Sequence, residues 1–86
     1  MLVKEIIKQV VHGKVHVHVG KAGITTNFIS QINNMFKKRM VIKVKLLNLM
    51  EFENAKQAFL HLSSLTNSKL VDVRGKTAVL LKTEHE

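Results

Sequence analysis

Cysteine, proline, tryptophan and tyrosine are all missing from this 86-residue chain. Without cysteine there is no disulfide framework, no thiolate metal ligand and no cysteine nucleophile. The four phenylalanines fall at core-patterned positions, which leaves few rings to stack on a nucleic-acid base. No apolar run approaches the roughly 18 residues that a membrane span needs. Met1 to Val11 mixes Lys4, Glu5, Lys8 and Gln9 into the apolar residues, which is not a signal-peptide pattern. These absences point to a cytoplasmic protein without membrane association. The length allows one small domain over residues 1–86, with no room for a separate catalytic domain.

The most informative absence is that of acids. From Ile6 to Met50 there is no Asp or Glu, while Lys8, Lys14, Lys21, Lys37, Lys38, Arg39, Lys43 and Lys45 supply eight positive charges. The other residues hold six basic groups and all six acids, so they cancel, and the net charge of +8 belongs to this one segment. Segregation of sign on this scale is the electrostatic footprint of a polyanion binder. Its bland counterpart is a well-solvated surface.

Along the chain, Leu2, Val3, Ile6, Ile7, Val10 and Val11 recur at helical spacing and predict a short amphipathic helix that Gly13 ends. Lys14 to Val19 alternates with period two, Val15, Val17 and Val19 against His16 and His18, and predicts a half-buried strand. After Gly20-Lys21-Ala22-Gly23, Thr25 is an N-cap candidate. It opens a helix to Lys38 striped by Phe28, Ile29, Ile32, Met35 and Phe36, with lysines in its last turn to complement the dipole. Val41 to Leu47 predicts a second strand with Ile42, Val44 and Leu46 inward and Lys43 and Lys45 outward, and strand–helix–strand implies a parallel crossover. Asn48 with Glu51 predicts a capped third helix striped by Phe52, Ala55, Phe59, Leu62 and Leu65, broken at Thr66-Asn67-Ser68. Lys69 to Arg74 and Thr77 to Lys82 predict a hairpin through Gly75-Lys76. The expected fold is a two-layer α/β sandwich in the order α-β-α-β-α-β-β.

The candidate binding residues cluster at the two glycine turns. Glycine lets a backbone approach a phosphate closely and permits positive φ, and the helix after Gly23 adds unpaired N–H donors and partial positive charge. Lys21 would put a full charge at the tip of the Gly20–Gly23 loop. An ordinary turn that needs glycine for geometry alone has the same spacing. Arg74-Gly75-Lys76-Thr77 would make a second basic tip, or simply a tight turn with solvated charges. It is not a nucleotide-binding P-loop, because Leu70 stands where that motif needs glycine and the context is a hairpin. His16 and His18 share a strand face, but a zinc site needs three or four ligands and no cysteine or acid lies nearby. Exposed sheet histidines are the plain reading, with a minor option that their protonated forms help bind RNA below pH ~6.5. No paired-carboxylate or nucleophile arrangement suggests an enzyme, and no cofactor or metal is expected.

Val19-Gly20-Lys21-Ala22-Gly23-Ile24-Thr25, Ile42-Lys43-Val44-Lys45-Leu46, and Val71 to Lys82 with Arg74-Gly75-Lys76-Thr77 together resemble a CRM domain, and more narrowly the stand-alone YhbY-like proteins. The resemblance runs from about Lys14 to Lys82. It implies a non-enzymatic RNA-binding module related in fold to the C-terminal domain of bacterial translation initiation factor three. With that come a mixed four-stranded sheet, a GxxG loop like that of KH domains, and association with ribosomal RNA or precursors of the large subunit. By position, the resemblance implies an RNA-binding loop of Gly20, Lys21, Ala22 and Gly23, a hairpin motif of Arg74, Gly75, Lys76 and Thr77, and Lys82, with Thr25 a further RNA-binding candidate beside the loop. Lys37, Lys38, Arg39, Lys43 and Lys45 would form or flank the basic surface. Lys82 and Leu81 depart from the arginine and the preceding tyrosine of the family, and the segment before the first strand is shorter than usual. Phosphate- and shape-led binding is therefore expected. Two other readings stay open: a DNA- or chromatin-coating protein of the Alba type, and a protein-interaction module with incidental charge.

Overall fold

The segment with the cleanest alternation, Val41–Leu46, becomes an interior strand of the sheet, paired along both edges. In the computed structural model, which describes residues 2–20, 23–47 and 54–82, the elements are α1 (Val3–Val11), β1 (Val17–Val19), α2 (Thr26–Phe36), β2 (Val41–Leu46), α3 (Ala55–Leu65), β3 (Ser68–Arg74) and β4 (Thr77–Lys82). The strands form one mixed sheet in the order β1-β2-β4-β3. β1 runs parallel to β2, as the crossover through α2 requires, and the other two pairings are antiparallel. The expected α/β class and element order are those observed.

One face of the sheet carries the core. Ile42, Val44 and Leu46 of β2 and Ala78 and Leu80 of β4 pack with Phe28, Ile32 and Phe36 of α2 and with Ala58, Phe59 and Leu62 of α3. At about 25 cal/mol for each Å² of apolar surface removed from water, each of the larger side chains contributes roughly 1.5–3 kcal/mol. Thr25 caps α2 as expected, its Oγ1 accepting from the Phe28 N–H at 3.1 Å. α2 stops at Phe36, two residues early. Lys37 and Lys38 donate to the carbonyls of Asn34 and Met35, a tightening common at helix ends, so the lysines lie just past the last turn. For α3 the observed cap is Asn54, whose Oδ1 accepts from the Gln57 N–H at 2.9 Å. The expected pair Asn48 and Glu51, and Phe52, lie outside the described residues. Leu65 leaves the buried stripe and is 45% exposed. The face continues from Leu62 to Thr66 instead, whose hydroxyl is satisfied by the Leu62 carbonyl and Ser68 Oγ.

Helix α1 packs against β2 and β4 from the other face, where Val41 and Val79 are buried outside the main core. The two-layer body thus gains a partial third layer. α1 ends just before Gly13, which serves as a turn residue with its N–H donating to the Val10 carbonyl at 3.1 Å, while positive φ among the described glycines occurs at Gly23 and Gly75. The cation of Lys43 closes the helix, its Nζ donating to the carbonyls of Val11 at 2.8 Å and Gly13 at 3.0 Å. A positive charge is favourable there.

β1 is shorter than its alternation suggests, and His16 is the reason. Its N–H donates to the Lys43 carbonyl at 2.9 Å, while its ring Nδ1 accepts from the Lys43 N–H at 3.0 Å. The imidazole takes the donor that a β1 carbonyl would have bonded, and the ladder ends. Burial first, then the Arg39 and Lys43 charges, lower the His16 pKa from its usual 6.5. As pH falls, the unfolded chain therefore takes up the proton before the folded one. The stability the neutral ring provides is whole above pH 6.5 and is lost progressively below it. His16→Ala should cost about 1 kcal/mol at neutral pH. Urea denaturation from neutral to mildly acidic pH should show the gap between natural protein and variant narrowing as the pH drops.

Candidate nucleic-acid interface

The basic residues that the sequence groups together are divided by the fold between two ends of the sheet. At the first end, the Leu47 N–H donates to the Val19 carbonyl at 3.1 Å and the Leu46 N–H to the Lys76 carbonyl at 2.8 Å. These two bonds bring the exit of β1, the exit of β2 and the β3–β4 turn side by side. Gly20 leaves β1 here and the Gly23 N–H donates back to its carbonyl at 3.0 Å, closing a tight turn that delivers the chain to Thr25 and α2. Gly23 has φ of +79°, a conformation that glycine adopts without steric cost. Gly20 has no such φ, and a Cβ added to it would meet no atom within 4 Å. Lys21 and Ala22 lie outside the described residues. Gly75, with φ of +60°, turns the hairpin between Arg74 and Thr77.

On the face away from the main core, the strand registers pair His18 with Lys45, Lys45 with Thr77 and Thr77 with Arg74. Directly paired residues share a face, so His18, Lys45, Thr77 and Arg74 form one row across all four strands. Lys76 adds an exposed charge in the turn at its end. Arg74 is bonded through Nε to Asp72 Oδ2 at 3.2 Å, in a pair whose arginine side chain is 66% exposed. An ion pair this exposed contributes little, and the outer guanidinium nitrogens still point to solvent. Among the described residues the carboxylates are Asp72 and Glu5 of α1, so this row faces one acid.

The second end collects Lys37, Lys38, Arg39 and Lys82. The Lys82 N–H donates to the Met40 carbonyl at 2.9 Å, its Nζ stands 5.6 Å from the centre of the Phe36 ring, and a shallow groove joins Phe36, Lys37, Lys38, Arg39, Met40 and Lys82. That Nζ-to-ring spacing is a cation–π contact. β2 separates the ends by about 17 Å at the usual strand rise. Lys43 belongs to neither end, being committed to the carbonyls of α1.

The histidines part company. His18 joins the row beside Lys45. His16 has Nδ1 engaged by the Lys43 N–H, and burial first, then the Arg39 and Lys43 charges, lower its pKa, so its protonated form is disfavoured. No group of three or more His, Asp or Glu side chains that could hold a metal occurs among the described residues. His18 could have been found from sequence if the register of β1 on β2 had been known. Alternation shows which residues share a face of one strand, and pairing decides which neighbour each one meets.

The fold and surface define a small, basic α/β domain built on a mixed four-stranded sheet. The chain belongs to the CRS1/YhbY (CRM) domain family, whose profile matches residues 3–82. Among solved structures it is similar to the hypothetical protein SAV1595 from Staphylococcus aureus, described there as a candidate RNA-binding protein. The two share 32% identity and a TM-score of 0.74, over 96% of this chain and 86% of that one. No curated protein matches the chain.

The two loop glycines should respond differently to alanine. Gly23→Ala forces a side chain into left-handed backbone and should cost about 1–2 kcal/mol. Gly20→Ala has room and an ordinary φ, and should stay within about 0.5 kcal/mol of the natural protein. Denaturation midpoints of the two variants check both values.

Proposed function

We propose that this protein is a non-enzymatic, cytoplasmic RNA-binding module that acts on ribosomal RNA or precursors of the large subunit. Membership of the CRM family and the likeness to a candidate RNA-binding protein support RNA as the partner. The observation that carries the reading is the first end of the sheet, where two backbone hydrogen bonds hold the Gly20–Gly23 turn beside Lys45, Arg74, Gly75 and Lys76. In this reading, phosphates approach the open backbone at Gly20 and Gly23, with Lys21 and Ala22 between them and Thr25 behind. Lys45, Arg74 and Lys76 neutralise the strand that runs past, and Lys37, Lys38, Arg39 and Lys82 extend the basic surface at the other end. Lys43 contributes mainly by fixing α1. Counterion release by such contacts makes affinity fall steeply with salt.

Fluorescence anisotropy with a large-subunit ribosomal RNA fragment and a duplex DNA of similar length tests this. RNA should be preferred, and its affinity should drop by roughly tenfold or more between about 50 and 200 mM salt. Exchanging Lys45, Arg74 and Lys76 for glutamine should weaken RNA binding and flatten that salt dependence. Gly20→Ala should weaken binding while leaving stability intact. Equal or tighter duplex-DNA binding, indifferent to Gly20→Ala, would move the assignment to a DNA-coating protein.

A further inference from the structure

We infer that the outer face of α2 is a base-reading surface for single-stranded RNA, with Asn27, Gln31 and Asn34 as its reading groups. The inference rests on the RNA-binding role proposed above and deepens it by naming where sequence preference would arise. Asn27, Ser30, Gln31, Asn34 and Lys38 line a shallow groove of about 430 Å³ together with Met35. Asn27, Gln31 and Asn34 follow at i, i+4 and i+7, which stacks them along one side of the helix, and Lys38 lies just past its end.

These side chains have no internal task. Among the described residues, none of Asn27, Ser30, Gln31 and Asn34 gives or takes a side-chain hydrogen bond within the protein. Asparagine is also a poor helix former. A solvent face serving stability alone would carry alanine, lysine and glutamate, whereas α2 carries Asn27, Asn33 and Asn34 and no acid. What the face offers is a row of paired donors and acceptors on a rigid frame. Asn and Gln amides match the donor–acceptor edge of a base, adenine best of all, and single strands leave those edges free.

The position of the groove fits this use. Its Asn27 end begins two residues after Thr25, beside the glycine turn. Its Lys38 end is shared with the groove of Lys37, Arg39 and Lys82. The helix is about 16 Å long at 1.5 Å per residue and runs from the glycine turn to the Lys37–Arg39 end, while the row of Lys45, Thr77 and Arg74 lies on the opposite face of the sheet. Phosphates held at the open backbone of the glycine turn and at the Lys37–Arg39 end would stretch a strand along α2 and turn its bases toward the amides. Charge holds the strand, and the amides between distinguish its sequence.

The test uses single-stranded oligo(A), oligo(C) and oligo(U) RNA of about eight nucleotides, within the site sizes of small single-strand-binding domains. Binding of the natural protein is compared with that of Asn27→Ala/Gln31→Ala/Asn34→Ala. Alanine raises helix propensity, so the triple variant should melt no lower than the natural protein. The natural protein should favour oligo(A) by roughly tenfold. The variant should lose that preference with its salt dependence unchanged. Lys37→Glu/Lys38→Glu should instead weaken all three oligomers alike. A triple variant that keeps the natural ranking and affinities, or a natural protein that binds without discriminating, overturns the base-reading face and leaves the RNA-binding role standing. A natural protein that binds no RNA at low salt overturns both.

Discussion

Strand β2 is paired along both edges, and a buried strand must find a partner for each backbone polar group. Those partners set the positions of the neighbouring parts. The N–H groups of Leu46 and Leu47 hold the β3–β4 turn and the exit of β1. The Lys43 N–H engages the His16 ring, and its Nζ reaches over to close α1. The glycine turn and the basic hairpin are neighbours because consecutive donors of one strand point to opposite edges.

That arrangement shapes the electrostatics. Basic residues packed into one patch would repel each other strongly. Set about 17 Å apart along a strand, the two ends lie beyond the screening length of roughly 8 Å at physiological salt. At that salt each end is largely screened from the other. Helix α2 leaves the glycine turn and ends beside Lys37, and it carries no acid.

Much of the scaffold was legible beforehand because it depends on short-range patterns. The alternation in β2, the helical stripe Phe28–Ile32–Phe36, the Thr25 cap and the Gly75 turn each involve residues a few positions apart, and all stand in the structure. The failures have a common cause. The helix ends before Gly13 as its sequence suggests, but the cation that reaches its last carbonyls is Lys43, thirty positions away in sequence. The alternation that lengthened β1 could not reveal that a His16 ring would intercept its next hydrogen bond. Leu65 looked buried because apolar spacing was followed, whereas the core turned to Thr66, whose hydroxyl the helix itself satisfies.

The candidate site divides in the same way. The sequence by itself determined the composition of the surface: an acid-free basic segment, two glycine turns and a helix with an amide face, each a local property of the chain. Only the tertiary structure decided which charges act together. It joined Lys45 with Arg74, Lys76 and His18, sent Lys37, Lys38, Arg39 and Lys82 to the other end, and withdrew Lys43 and His16 into the frame. The physical reason is that these groupings follow from strand order and register, which arise when distant backbone donors and acceptors pair.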